Sequence, residues 1–273
     1  TDHPDELTAL YHDLLIKVTG FFREPDSFDT LKRAIVPALL KDRPAGKPIR
    51  IWVPGCATGE EAYSIAMVVL EALSEHTTPP SLQLFATDID EVALHKARSG
   101  VYVENIAADV SPERLQRFFL RADHTYRIVK LLRELCTFAK HNLYKDPPFS
   151  NLDLISCRNV LIYLDPSLQR HIIPMFHYAL NAAGFLMLGS SETIGAFTDL
   201  FGVIDKRHRA YAKKAAAIRL PIDFHPRPPP AGERAAPDTS EEPSRSEVDV
   251  HKEADRATLN YCAPAGILIN DQL

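Results

Sequence analysis

The stretch IRIWVPGCATGEEAYSIAMVVLEAL, residues 49–73, reads as a strand, a tight turn and a helix in direct succession. IRIWV (49–53) is a short apolar run of the kind that fills a central strand buried on both faces, and Pro54-Gly55 ends it. From Glu60 to Leu73 the residues Ala62, Ile65, Ala66, Val69, Leu70 and Leu73 recur at helical spacing. Two acids open this segment, where the helix dipole favours negative charge. Working outward, LQLFATD (82–88) predicts a second strand and Glu91–Arg98 a second helix. LDLIS (152–156) predicts a third buried strand, followed by a helix over Pro166–Leu180 and a strand over Phe185–Leu188. Two β-like pieces, FGVID (201–205) and AYAKK (210–214), close the domain. Strand and helix alternating in this way predict a doubly wound α/β sheet. YRIVKLLRELCTFAKHN (126–142) breaks the alternation, and a small β insertion is expected at about 121–142.

The remaining composition is that of an ordinary globular chain. Of its 273 residues 45% are hydrophobic and 25% charged, enough for one large domain or two small ones. Lys and Arg number 31 against 36 Asp and Glu, a net charge of −5. The basic excess of a general nucleic-acid binder is missing. No apolar run approaches the roughly 20 residues of a membrane helix, and no signal-peptide pattern follows Thr1. The chain therefore reads as cytoplasmic and as a piece of something longer. Cys56, Cys136, Cys157 and Cys262 lie far apart, with no CxxC pair and no His at ligand spacing. They read as reduced thiols, with no metal site. Residues 221–243 hold seven of the 21 prolines. That places a linker over 220–245, because such a segment cannot bury enough surface to offset its chain entropy. A short polar helix within Glu247–Asn260 and the apolar YCAPAGILINDQL then read as the entry to a further domain over 246–273.

The turn Pro54–Glu61 sits where an open α/β sheet binds its ligands, at the carboxyl end of a strand. Gly55 and Gly59 let backbone pass close to a ligand without a Cβ in the way. Their Gly-x-x-x-Gly spacing is neither the dinucleotide fingerprint nor a P-loop. Glu60 and Glu61 would repel a pyrophosphate and welcome an ammonium or sulfonium. Asp88, at the end of the second strand, can accept from the paired hydroxyls of a ribose. A positively charged nucleoside describes S-adenosylmethionine. The plainer alternative is that both glutamates merely cap their helix and Asp88 caps the next one.

Five blocks in order, TGFFRE (19–24), GCATGEEAYSIA (55–66), ATDID (86–90), HNL (141–143) and CRNVLIY (157–163), resemble the CheR family of chemotaxis protein-glutamate O-methyltransferases. The resemblance runs from about residue 10 to 214. It implies a class I, Rossmann-like methyltransferase sheet over 19–219 with S-adenosyl-L-methionine as cofactor and S-adenosyl-L-homocysteine as product. The implied cofactor contacts are Thr19, Arg23, Gly55, Glu61, Asp88, Asn142, Leu143, Arg158 and Asn159. Arg23 and Tyr163 are implied beside the transferred methyl. The implied reaction is esterification of glutamate side chains on a methyl-accepting receptor, in cytoplasmic signal transduction. The linker and the trailing apolar segment resemble CheB/CheR fusion proteins, in which sensory domains, often of PAS type, follow the methyltransferase.

The sequence also departs from the family pattern. Lys17 stands where family members usually carry Asn. Only 18 residues precede Thr19, so the family's helical N-terminal domain is expected to be absent or reduced to one helix over 1–18. RADHTYRI (121–128) has no glycine, unlike the longer Gly-containing loop of members that tether to a receptor's C-terminal peptide. The chain is therefore expected to act without a tether. Two other readings of the turn stay open here. One is a non-catalytic module that binds S-adenosylmethionine or its product and reports to neighbouring domains. The other is a nicotinamide oxidoreductase.

Overall fold

The computed structural model describes residues 19–41, 43–44 and 46–215. Lys17, the expected helix over 1–18, the linker and the residues 246–273 lie outside them. In chain order, α1 (Pro25–Thr30) and α2 (Val36–Leu40) are joined by a π-helical turn, Leu31–Ile35. Pro37 has no N–H to continue an α-helical ladder, and the wider turn accommodates that gap. There follow β1 (Ile49–Pro54), α3 (Glu60–Leu73), β2 (Leu82–Asp88), α4 (Glu91–Ser99) and β3 (Val101–Val103). Next come α5 (Pro112–Phe118), β4 (Phe119–Ala122), β5 (Thr125–Ile128), α6 (Lys130–Leu135) and β6 (Cys136–Lys140). The chain continues through β7 (Leu152–Cys157), α7 (Pro166–Ala179), β8 (Leu180–Leu188), β9 (Phe201–Asp205) and β10 (Ala210–Lys213).

The main sheet has seven strands in the order β6-β2-β1-β7-β8-β10-β9. The pairs β1–β2, β1–β7, β2–β6 and β7–β8 are parallel, and β10 runs antiparallel to both β8 and β9. Strand order reverses between β1 and β7, and a crevice at the carboxyl ends is expected there. Side chains of β1 alternate between two cores. Ile49, Ile51 and Val53 pack with α3, whereas Trp52 packs with Ile172 and Phe176 of α7. The buried Trp52 indole N–H donates to Thr87 Oγ1 at 2.9 Å, which removes the cost of burying it unpaired.

The β insertion is real but lies elsewhere than expected. β3, β5 and β4 form a separate three-stranded sheet, so its strands span 101–128 rather than 121–142. Residues 136–140 instead form the edge strand of the main sheet, paired with β2 from Leu84–Cys136 to Asp88–Lys140. An edge strand needs one buried face only. Cys136 and Phe138 point inward and Thr137 outward, so the continuous apolar run that marks the central strands is absent. Strand β8 also begins five residues earlier than its apolar run Phe185–Leu188 suggests.

Candidate active site

The crevice between β1 and β7 holds a cavity of about 570 Å³ lined by the turns that follow β1, β2, β6 and β7. All ten residues expected to form the site line it: Thr19, Arg23, Gly55, Glu61, Asp88, Asn142, Leu143, Arg158, Asn159 and Tyr163. Cys56, Ile89 and His141 line it too, without having been anticipated. The Cys56 thiol is pushed well up by burial and by the charge of Asp88, so it stays protonated and unreactive.

The glycine turn works differently from the sequence expectation. Gly55 (φ 69°) and Gly59 (φ 93°) are both left-handed, which explains their identity. What they leave room for is mainly protein. A Cβ on Gly55 would lie 2.4 Å from Val160 Cγ2, in the turn after β7. A Cβ on Gly59 would meet Ala97 Cβ at 2.9 Å. Asp88 stiffens this turn from the neighbouring strand: Oδ2 accepts from Ala57 N at 2.8 Å and Oδ1 from Asp90 N at 2.9 Å. The helix-capping role belongs to Asp90, which accepts from Val92 N and Ala93 N at the start of α4. Asp88 keeps further lone pairs, as a carboxylate has about four acceptor sites.

The two glutamates part company. Glu60 is held by the Thr58 hydroxyl, 2.8 and 2.6 Å from its two oxygens, and does not line the cavity. Glu61 lines it, accepting from Ser156 Oγ at 2.6 Å, with Arg158 Nη1 3.7 Å from its other oxygen. Burial pushes the Glu61 carboxyl up; Arg158 and Ser156 offset only part of that, and Glu192 and Glu24 add to it. The Arg158 side chain is 1% exposed. Its Nη2 donates to the Arg23 carbonyl at 2.7 Å and to Glu24 Oε2 at 3.0 Å, and the guanidinium lies over the Phe28 ring. Arg158 thus ties the segment carrying Arg23 to Glu61.

Residues 17–210 match the family described as CheR methyltransferase, SAM binding domain. The chain belongs to the CheR family. An uncharacterized 104.1 kDa protein of Rhodobacter capsulatus is 38% identical over 273 residues, covering 97% of this chain and 28% of that protein. The chemotaxis protein methyltransferase of Escherichia coli is 38% identical over 199 residues, 70% of this chain and 65% of that protein. Among solved structures, a TehB-like SAM-dependent methyltransferase from Corynebacterium glutamicum aligns at 14% identity and a TM-score of 0.38, over 70% of this chain and 96% of that one.

The rest of the CheR site is built from turns. Asn142 Oδ1 accepts from Tyr144 N at 3.0 Å and Lys145 N at 3.1 Å, and Asn142 N donates to Asp146 Oδ2 at 2.7 Å. This fixes the loop after β6 and places Leu143 on the cavity wall. Arg23 is exposed at the wall, and Tyr163, 52% exposed, stands at the end of a short 3-10 helix, Leu161–Tyr163. Glu192 was not anticipated. It is 3% exposed and its carboxylate accepts from the backbone of Asn159, Val160, Leu161 and Gly189. Nothing in LGSSETIG (188–195) marks this Glu out, since three of its four partners lie about thirty residues earlier.

These residues fit S-adenosylmethionine. A buried carboxylate with incomplete compensation, Glu61, leaves a place for a second positive group. Asp88 offers acceptors at the end of β2, and the volume lies within the range of small-ligand sites.

Proposed function

We propose that this CheR domain transfers a methyl group from S-adenosylmethionine to glutamate side chains of a methyl-accepting, chemoreceptor-like protein in the cytoplasm, giving glutamate methyl esters. The observation that carries this reading is the polarity of one cavity in a CheR-family fold. Acids (Glu61, Asp88) line it, and an exposed Arg23 and Tyr163 flank them. Among the described residues no helix is long and apolar enough to cross a membrane.

When bound, S-adenosylmethionine supplies an electrophilic methyl on a sulfonium. A glutamate carboxylate, with an ordinary pKa of about 4.3, is already ionised at neutral pH. No general base is required of this chain. Arg23 orients the incoming carboxylate from an exposed position. A tighter, buried pairing would quench the nucleophile, and the Arg158 bond to the Arg23 carbonyl fixes the backbone of this exposed residue. Charge is lost as cation and anion combine, so a site that excludes water favours the reaction, and alignment supplies much of the rest. Leu143, Leu164 and Ile172 make that part of the wall apolar. Tyr163 shapes the opening with its ring.

Transfer of labelled methyl from S-adenosylmethionine into receptor-enriched membranes tests the reading. Arg23→Ala should lower the rate about a hundredfold, the scale of a misplaced reactant, and change adenosylhomocysteine affinity less than threefold. Parallel loss of rate and affinity would make Arg23 a cofactor residue. Cofactor binding without transfer to any protein would leave a signalling module.

We also propose that no receptor tether is needed. The turn between β4 and β5 is two residues, Asp123-His124, with Asp123 left-handed at φ 48°. Arg121 reaches Glu104, just after β3, and lies over Tyr126 of β5, bracing the hairpin against the rest of its sheet. A four-residue edge strand offers few bonds to an added peptide. A receptor lacking its C-terminal peptide should be methylated at the intact receptor's rate. Saturable micromolar binding of that peptide to this chain would refute the proposal.

A further inference from the structure

The turn after β7 carries four cavity residues, Arg158, Asn159, Val160 and Tyr163, yet has little regular structure to hold it. Asn159 is left-handed, at φ 59°. Its support comes from the end of β8. Glu192 Oε2 accepts from Asn159 N at 2.9 Å and Gly189 N at 2.6 Å, and Oε1 accepts from Val160 N at 2.8 Å and Leu161 N at 2.7 Å. The Glu192 backbone N–H returns to the Gly189 carbonyl at 2.9 Å. Four backbone donors converge on one buried carboxylate, a concave arrangement that disperses its charge. Gly189 is what allows the approach. A Cβ there would lie 2.8 Å from Glu192 Oε2 and 2.9 Å from Asn159 N. From the other side, the Gln169 amide donates to the Leu161 and Leu164 carbonyls, each at 2.9 Å.

We propose that Glu192 is a positioning residue for methyl transfer: its carboxylate sets the 158–163 turn, and through that turn the places of Arg158 and Tyr163 on the cavity wall. The proposal rests on reading the cavity as a methyl-transfer site. Glu192 touches neither reactant. It acts through Arg158, which fixes Glu61 and the Arg23 segment, and through the 3-10 helix that ends in Tyr163. A fold needs only that this turn be closed somehow; transfer needs it closed in one way, because misplacement by an ångström is costly in rate.

Glu192→Gln preserves shape but sets an amide NH₂ against two of the four backbone donors. Gly189→Ala leaves the carboxylate intact and crowds it. For both variants, and for the full chain, amide exchange by mass spectrometry is followed at 158–163 and at β1 and α3, beside the transfer rate with S-adenosylmethionine saturating. The expected result is faster exchange at 158–163 alone, with kcat tenfold or more below wild type in each variant. Unchanged exchange at 158–163 would overturn the clamp. Loosened exchange with an unchanged kcat would overturn the positioning role, and so would loss of protection throughout β1 and α3 in both variants, which would make Glu192 a general structural residue. If the wild-type chain itself binds no adenosylhomocysteine, the methyl-transfer reading fails and takes the positioning role with it, whereas the exchange data still decide the clamp.

Discussion

Two turns face each other across the strand-order reversal, and they are held by opposite means. The turn after β1 is shaped chiefly by its own backbone, with Gly55, Ala57 and Gly59 all left-handed, and is braced from outside by the bond from Ala57 N to Asp88 on the next strand. The turn after β7 is shaped from outside, by Glu192 from the end of β8 and by the Arg158 contacts to residues more than 130 positions earlier. Local shaping leaves a sequence signature, because left-handed backbone selects glycine. Remote shaping by charge leaves none, because a buried glutamate and a surface glutamate are the same letter. Both strategies deliver backbone to one cavity wall at the carboxyl ends of adjacent parallel strands.

The largest expected effect tests the remote strategy. Arg158→Ala removes a 1%-exposed guanidinium and leaves Glu61 and Glu24 without their shared cation. Breaking a buried pair by deleting one partner costs about 3–5 kcal/mol. Chemical denaturation of the variant should show a loss of that size. A loss below about 1 kcal/mol would mean that the second turn does not depend on this arginine, and the contrast between the turns would collapse.

Gly55→Ala tests the local strategy. An alanine at φ 69° costs about 1–2 kcal/mol, and its Cβ would sit 2.4 Å from Val160. A total loss of about 2–3 kcal/mol is expected, with weaker adenosylhomocysteine binding because the two turns are pushed apart. Equal stability to wild type would show that Val160 yields freely and that the turns are not in register with one another.

The same distinction explains what was legible beforehand. Strand β1, helix α3, strand β2 and helix α7 could be read because each carries its own apolar period and stop signals. β6 was misplaced because, half-buried at the sheet edge, it alternates weakly and follows a helical turn without a break. The α1–α2 region and the 3-10 helix ending in Tyr163 carry no comparable period. In the site, every expected residue reaches the cavity, but the reasons differ in part. Gly55 clears space for Val160 rather than only for a ligand, and Arg158 is occupied by protein partners. Side-chain partners distant in sequence cannot be read from one chain.

The smallest effect concerns Asp88, where the two strategies meet, since its carboxylate both braces the glycine turn and faces the cavity. If bracing were its whole function, Asp88→Ala would lower stability by about the net worth of two backbone hydrogen bonds, about 1–3 kcal/mol, and adenosylhomocysteine affinity would fall only as far as the turn loosens. If it also accepts from ribose hydroxyls, affinity should drop by a further 1–3 kcal/mol or so. Asp88→Asn separates the two. Asn remains nearly isosteric but has a single acceptor oxygen, so it keeps the bond to one of Ala57 N and Asp90 N and turns an NH₂ toward the other donor, and it loses the charge that strengthens bonds to hydroxyls. Titration calorimetry of the two variants against adenosylhomocysteine should therefore show affinity lost in both, with the larger loss of stability in Ala, where both backbone bonds go. Wild-type affinity in Asp88→Asn would restrict Asp88 to bracing, and the first turn would then contribute shape alone to the cofactor site.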